Sequence, residues 1–486
     1  MKGLRPKIEI RFALDWIVEV TGGSLHNYRS VEVTGFSIDS RTIRPGEVFI
    51  ALKGRRTDGH LFLGEAFRRG ASGAIVSQRQ RIEPAAGFHN LIEVEDPKRA
   101  LQDLARAYRR SFEIPIVGIT GSSGKTTTKE LLFAILSRRF RAYRSPGNYN
   151  TEYGLPLAIL GMPRDTEVGV FELGLQRPGD IGELAGILEP KIGIITMIGD
   201  AHLGFFRDIE ELAENKWELI TNLPRDGLAV INLDSPYLRR RRERFERVVG
   251  FGIESEADYR ASKVDDTSLE GLRFTLNSPQ GSFPIVSRLL GRLNVYNILA
   301  AAAAALELEL NLDPELKLRT SPEDLQAAMT EFRPLPHRME LHRSRIGLII
   351  DDSYNANPAA VKEALLMITG LEADPDYRRV LVLGDMLELG EHVRAVAAHR
   401  ELARSIALAE NGLGIDLVFT LGELAEEVGK ALLEHGWGDR VVITRSRDEL
   451  EEALLSRLSG DRRNLILVKG SRAIELDKLV VNLCSG

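Results

Sequence analysis

The chain reads as an α/β protein of three units, each built on a sheet with helices against it. Three observations predict this. Apolar strand candidates alternate with amphipathic helical patterns along almost the whole chain. A glycine-bearing loop at residues 120–128 joins one such strand to a helix. The last third repeats strand and helix with little interruption, the pattern of a doubly wound sheet.

A length of 486 residues corresponds to about three domains on the usual size relation. The first, residues 1–113, carries short strand candidates FSID, EVFIAL, GAIVS and LIEVE between the helical patterns HLFLGEAFRRG and KRALQDLARAYRRSF, a small α/β N-terminal domain. The second, residues 114–334, opens with the glycine-bearing loop. Its strand candidates VGVFEL, KIGIITMI, GLAVINL and RVVGFGI are interleaved with helices, which predicts a mostly parallel sheet covered on both faces. A long helix, NVYNILAAAAAALELEL, follows late in that unit. The third, residues 335–486, alternates IGLIID, RRVLVLG, DLVFTLG, RVVIT and NLILVKG with helical patterns, a Rossmann-like C-terminal domain. Low-complexity linkers are absent, so the units are expected to touch.

Charge and cysteine usage narrow the class of partner. The 64 basic and 70 acidic side chains are well mixed, and the net charge of −6 gives no general attraction to nucleic acid or to an anionic membrane. Cys484 is the sole cysteine, which rules out an internal disulfide framework. The apolar run Leu299 to Ala305 is too short to span a bilayer, and the N-terminal stretch lacks a sustained apolar core. A cytoplasmic monomer acting on small molecules is the default expectation.

The loop TGSSGKTTT lies between IPIVGI and KELLFAILSRR, and this order of strand, loop, lysine and helix is that of a nucleotide phosphate site. Gly121 and Gly124 leave room for backbone N–H groups, with those of Ser122 and Ser123, to turn onto phosphate oxygens, while the helix presents its positive end. Lys125 supplies a point charge, Thr126 a hydroxyl suited to magnesium, and Thr127 continues the first turn. Ile119 stands five residues before Gly124 where the general pattern has glycine, and Gly118 is one residue early, a spacing that points to a subfamily.

Two further residues sit at strand exits, where open parallel sheets place ligands. Glu172 ends VGVFEL and His202 follows the next strand in IGDAHLGFF. Each alone is a weak signal; beside a phosphate loop they become candidate metal ligands. Lys216 falls within the apolar stripe Ile209, Leu212, Ala213 and Ile220 of a helical pattern and should face the protein. Either its stem snorkels to water or it is a functional lysine near the phosphates.

TGSSGKTTTKE, GNYNTEYGLP, FELG, the AH of GDAHLGFF, the lysine of ENKWELI, GRLNVYN, DDSYNANP, LGDMLELG and VKGSRA together resemble, in order, the motifs of the Mur ligases, the ATP-dependent amide-forming enzymes of peptidoglycan synthesis. DDSYNANP followed by LGDMLELG is similar to the branch that adds D-alanyl-D-alanine to UDP-N-acetylmuramoyl-tripeptide. The sibling branch that adds diaminopimelate or lysine usually has a YAHTP-like segment, and the diaminopimelate-specific DNPR is absent here.

That resemblance implies the remaining roles. ATP would be the cofactor with two magnesium ions, one on Thr126 and Glu172, the other on His202 and a carbamylated Lys216. Asn297 would meet the adenine, Asp352 the ribose and Arg338 the phosphates, which requires the third unit to close over the second. Ser40 and Arg41, beside Asp39, would hold the UDP end of the substrate. Asn148, Asn150 and Thr151 would orient its peptide carboxylate. Asn355, Asn357, Lys469, Ser471 and Arg472 would line the site of the dipeptide. The chain departs from the family at Leu293, where histidine is frequent, and at Arg207 and Asp208, where a Gly-Ser pair is usual.

Overall fold

The computed structural model describes residues 10–54, 57–78, 87–199, 206–371 apart from 314–315, 377–409 apart from 388, 414–458 and 463–485, with the backbone alone over 309–319. The described residues form three principal sheets, of five, nine and six strands.

In the first unit Gly35–Ser37, Glu47–Ile50, Gly73–Ser77 and Leu91–Val94 run parallel, and Ser24–His26 closes the edge antiparallel to Leu91–Val94. The helix Pro97–Arg110 then carries the chain to the second unit. It starts at Asp96, whose carboxylate accepts the Lys98 N–H, with proline at the position where a missing N–H costs nothing. Ala100, Leu101, Leu104, Ala105 and Tyr108 form its buried stripe. This face is shared: one apolar cluster runs from Phe12 and Ile17 through the helix to Leu155 and Ile159 of the central unit. The Tyr108 hydroxyl donates to the Met162 carbonyl at 2.7 Å. Arg109 caps the central helix Asp180–Leu188, donating to the carbonyls of Leu188 (2.8 Å) and Glu189 (3.2 Å) and to Phe112 (3.0 Å).

The central sheet has the order Ala142–Arg144, Val168–Glu172, Ile116–Thr120, Ile192–Ile195, Leu228–Asn232, Val248–Gly252, Tyr259–Asp265, Leu272–Ser278, Gly281–Ser287. It is parallel as far as Tyr259–Asp265 and antiparallel over the last two strands. The helices Lys125–Leu136 and Arg292–Glu307 pack against each other on one face, where Ala300 to Ala305 are all buried beside Leu131, Leu132 and Ile135. Asp180–Leu188 and Ile209–Thr221 cover the other. Ile116–Thr120 is flanked by strands reached in opposite directions, so its carboxyl end opens into a crevice at a topological switch point.

In the third unit Gly347–Asp352, Asn464–Lys469, Arg378–Gly384, Leu417–Leu421 and Val441–Thr444 lie parallel in that order, and Glu340–Ser344 adds an antiparallel edge. The expected strands and helices are present, with two differences. The hairpin of Leu272–Ser278 and Gly281–Ser287 and the edge Glu340–Ser344 add antiparallel strands that none of the apolar runs had marked. The expected helix through Leu310 stops at Glu307, with Leu308 extended and a strand over Glu309–Asp313. The segment LELELNL alternates with period two, which favours a strand once the alanine run ends. We place the unit boundaries in the connections after Arg110 and after Glu331.

Arg109→Met should leave the carbonyls of Leu188, Phe112 and Glu189 without this donor and cost about 2 to 4 kcal/mol, read as a lowered urea midpoint.

Candidate active site

The phosphate loop occupies the switch point. Gly121 has φ +154°, and a Cβ there would stand 1.9 Å from Thr196 Oγ1. At Gly124, with φ +83°, a Cβ would lie 2.1 Å from Asn297 Oδ1. Both glycines are therefore demanded by close approach as well as by backbone conformation. Lys125 Nζ donates to the Gly121 carbonyl at 2.8 Å, folding the lysine back over the loop. Ser122 exchanges hydrogen bonds with Gly199, at 2.9 and 3.0 Å, and Thr196 Oγ1 donates to the Ser123 carbonyl at 2.5 Å.

Thr126 joins three elements. Its hydroxyl donates to Glu172 Oε2 at 2.8 Å and accepts from Arg338 Nη2 of the third unit at 3.2 Å. Glu172 is buried, and its other carboxylate oxygen accepts from Asn150 Nδ2 at 2.7 Å. Two hard oxygen donors thus converge beside a phosphate cradle, a donor set that fits magnesium. Arg338 also stacks on Tyr354, its guanidinium carbon 3.9 Å from the ring centre.

These groups line one cavity of about 570 Å³ between the second and third units. It brings together Ser122, Ser123, Gly124, Lys125, Thr126, Thr127, Asn148, Asn150, Thr151, Glu172, Asn297, Arg338, Asp352, Asn355, Asn357 and Lys469. Asn297 is held by Asn294 at 2.9 Å, and Leu289, Leu290 and Leu293 give this end an apolar wall. The leucine at 293 thus contributes contact area where the family often has an imidazole.

Other expected site residues lie apart from the cavity or are engaged differently. His202 lies outside the described residues. Lys469 binds the Asp352 carboxylate and donates to the Asn355 carbonyl at 3.0 Å, so its charge braces Asp352 and is not held out toward a second carboxylate. Asn150 spends its amide on Glu172, and Thr151 Oγ1 accepts the Gly154 N–H at 3.3 Å. Asn355 and Asn357 accept local N–H groups of Ala356 and Ala360. Ser471 Oγ accepts the Leu387 N–H, and Arg472 pairs with Asp477 at 2.9 Å; neither lines the cavity. Ser40 donates to Glu65, and Arg41 forks onto Asp39 at 2.9 and 2.8 Å, within the first unit. The family departure at Arg207 and Asp208 has a local outcome: Asp208 caps the helix Ile209–Thr221 by accepting the Glu211 N–H.

Lys216 is fully buried, and its Nζ has no hydrogen-bond partner among the described residues. Burial, reinforced by the charge of Lys125, holds this amine well below the usual lysine range. Thr196, Ser145, Lys129 and Tyr354 were not among the expected site residues; of these Tyr354 has the plainest sequence signal, lying inside DDSYNANP between Asp352 and Asn355.

The fold and the cavity define a three-unit nucleotide-dependent enzyme in which a phosphate loop is closed over by a separate doubly wound unit. The Mur ligase middle domain matches residues 119–305, the Mur ligase glutamate ligase domain residues 337–472, and the Mur ligase family catalytic domain residues 32–109. The chain is 34% identical to UDP-N-acetylmuramoyl-tripeptide--D-alanyl-D-alanine ligase of Bacillus subtilis (strain 168), covering 96% of this chain and 97% of that one. To the protein of the same name in Escherichia coli (strain K12) it is 30% identical, over 97% and 98%. Among solved structures, MurF from Acinetobacter baumannii superposes with a TM-score of 0.84 at 26% identity, covering 99% and 100% of the two chains. MurF ligase from Thermotoga maritima in complex with ADP gives 0.76 at 29% identity, over 93% and 97%. The chain belongs to the Mur ligase family.

In buffer free of carbon dioxide, Lys216→Met should raise the melting temperature at neutral pH. An unfolded lysine takes a proton below about pH 10.4 that the buried amine does not, so wild-type stability rises with pH through that window. The advantage of the methionine variant should therefore shrink as pH climbs toward 10, and thermal melts across that range read it directly.

Proposed function

We propose that the chain joins D-alanyl-D-alanine to UDP-N-acetylmuramoyl-tripeptide at the expense of ATP, a step of peptidoglycan precursor synthesis in the cytoplasm. The convergence of the phosphate loop, Glu172 and Arg338 on one cavity carries this reading, and full-length similarity to ligases of that name supports the choice of substrates. No described helix is long and apolar enough to cross a membrane.

The peptide carboxylate takes the γ-phosphoryl group of ATP, giving an acyl phosphate and ADP. The dipeptide amine then attacks the acyl carbon, phosphate leaves, and the amine loses a proton. No protein nucleophile is needed. The chain's task is positioning and charge: the Ser122 N–H is engaged by the Met197 carbonyl, so backbone N–H groups of residues 123–126 would hold the phosphates, and Lys125 and Arg338 bring positive charge to the transferring group. Asn297 and the leucine wall would take the adenine, and Asp352 the ribose. Thr126 with Glu172 would hold one magnesium ion, and His202 with Lys216 a second. Those ions would lower the repulsion between phosphate and carboxylate. Lys216 reaches that role as a carbamate: its amine adds carbon dioxide and releases a proton, turning a would-be cation into an anionic oxygen ligand. The first unit, through Ser40 and Arg41, would receive the UDP end. A rotation of the Arg41 fork from Asp39 to the diphosphate is the change this requires.

Phosphate release measured with ATP, UDP-N-acetylmuramoyl-tripeptide and D-alanyl-D-alanine should exceed that with any single amino acid. Release with diaminopimelate or lysine alone would assign the chain to the sibling branch, and no release with any amine would leave it a nucleotide-binding protein. Separately, Lys216→Ala should lose most turnover and recover part of it in millimolar acetate or formate; full activity without rescue would remove Lys216 from the site.

A further inference from the structure

Lys129 lies one helical turn beyond the phosphate loop, on the helix Lys125–Leu136, and is fully buried. A buried ammonium is costly unless each proton finds an acceptor. This one finds three. Its Nζ donates to the carbonyls of Ser145 at 2.8 Å and Gly147 at 3.1 Å, and it pairs with Glu130 at 3.4 Å. Glu130 is in turn bound by Arg144 at 2.7 Å. A leucine or methionine would fill the same volume without a charge, but would leave two inward-turned carbonyls without donors.

The two carbonyls belong to the start of the loop 145–151, and that loop ends on the cavity. Ser145 is anchored to the strand Val168–Glu172 twice: its N–H donates to the Val170 carbonyl at 3.0 Å, and its Oγ accepts the Glu172 N–H at 3.3 Å. At the far end Asn150 donates to Glu172 Oε1, while Gly174 N–H donates to the Asn150 carbonyl at 2.7 Å. Glu172 Oε2 then returns to Thr126, on the same helix as Lys129. The circuit closes on itself: helix, ammonium, loop, amide, carboxylate, hydroxyl, helix.

We propose that Lys129 is a positioning residue for the divalent cation, acting through the loop 145–151 and Asn150 to fix the carboxylate plane of Glu172. It touches neither nucleotide nor metal. The proposal rests on the reading of Thr126 and Glu172 as the magnesium ligands. Residues supporting a metal ligand typically change metal affinity by about 10- to 100-fold when removed.

The test separates metal from nucleotide. Binding of ADP to the full chain is measured in EDTA, and binding of Mn²⁺ to the ADP complex by electron paramagnetic resonance, for wild type, Lys129→Met, Lys129→Gln and Glu172→Gln. The expected result is that Lys129→Met binds ADP in EDTA as wild type does but holds Mn²⁺ about 10-fold more weakly, with Lys129→Gln, which keeps a neutral amide NH₂ as donor, in between. Wild-type Mn²⁺ affinity in Lys129→Met, with a loss in Glu172→Gln, would overturn the role of Lys129 and leave the metal reading standing. Wild-type affinity in Glu172→Gln as well would overturn the metal reading itself. Equal loss of ADP and Mn²⁺, or failure of both Lys129 variants to fold, would make Lys129 a general support of the core and end the proposal.

Discussion

Glu172 is a carboxylate with little access to water whose two oxygens are each claimed by a different element of the fold. Such a group is tolerable in the interior only when hydrogen bonds replace its hydration, and the replacements here come from a helix and from a loop that enter the site from separate directions. The hydroxyl of Thr126 has a single proton and gives it to Glu172, so its lone pairs are left for cationic partners. Arg338 already uses one. A carboxylate oxygen and a hydroxyl oxygen are thus presented as a pair beside the glycine loop. Substrate anions and a hard cation are thereby invited to adjacent places.

Closure between units depends on two neighbouring acids with different tasks. Asp351, buried at the strand end, receives His337 Nδ1 at 2.7 Å, and Asp352 faces the cavity in contact with Lys469. His337 and Met339 flank Arg338 with φ of 62° and 54°, left-handed conformations that cost a side-chain-bearing residue about 1 kcal/mol or more. The contact with Asp351 and the Tyr354 N–H on the His337 carbonyl hold that strained turn in place. Its effect is to send the arginine back across the boundary to Thr126. Gly291 works on the same boundary from the other side: a Cβ there would meet Met367 of the third unit at 2.8 Å.

The fold was largely legible because its sheets are mostly parallel and buried, so each strand appears as a short apolar run bounded by turns. The edge strand Glu340–Ser344 carries mostly polar side chains, ELHRS, and gives no such run. Around the cavity, residues whose chemistry depends on their type were readable: the loop glycines, Lys125, Thr126 and Glu172; of Lys216 the inward orientation was readable. What could not be read was which partner each polar group would choose. Asn150 could as well have met substrate as Glu172, and Lys469 could have met a ligand as well as Asp352; pairing is decided by strand order, and Asp352 and Lys469 are register partners only because their strands are adjacent. Lys129 was invisible for a related reason, since a lysine on a helix following a phosphate loop has the composition of a solvated position until the loop that covers it is known.

Two lysines near one phosphate cradle pose an electrostatic problem with a particular resolution. Lys125 bonds to the loop, where incoming phosphates offset its charge. Lys216 is fully buried and without an acceptor among the described residues, and both burial and Lys125 oppose a second positive charge there. The same two influences differ once the amine is neutral. A neutral amine is the form that attacks carbon dioxide, and the carbamate proposed above would be drawn to Lys125 where an ammonium is repelled. The desolvation that disfavours any isolated charge would then be offset by an ion pair with Lys125 and by the proposed cation. The environment of Lys216 therefore disfavours the protonated amine, which is the condition that the carbamate proposed above requires.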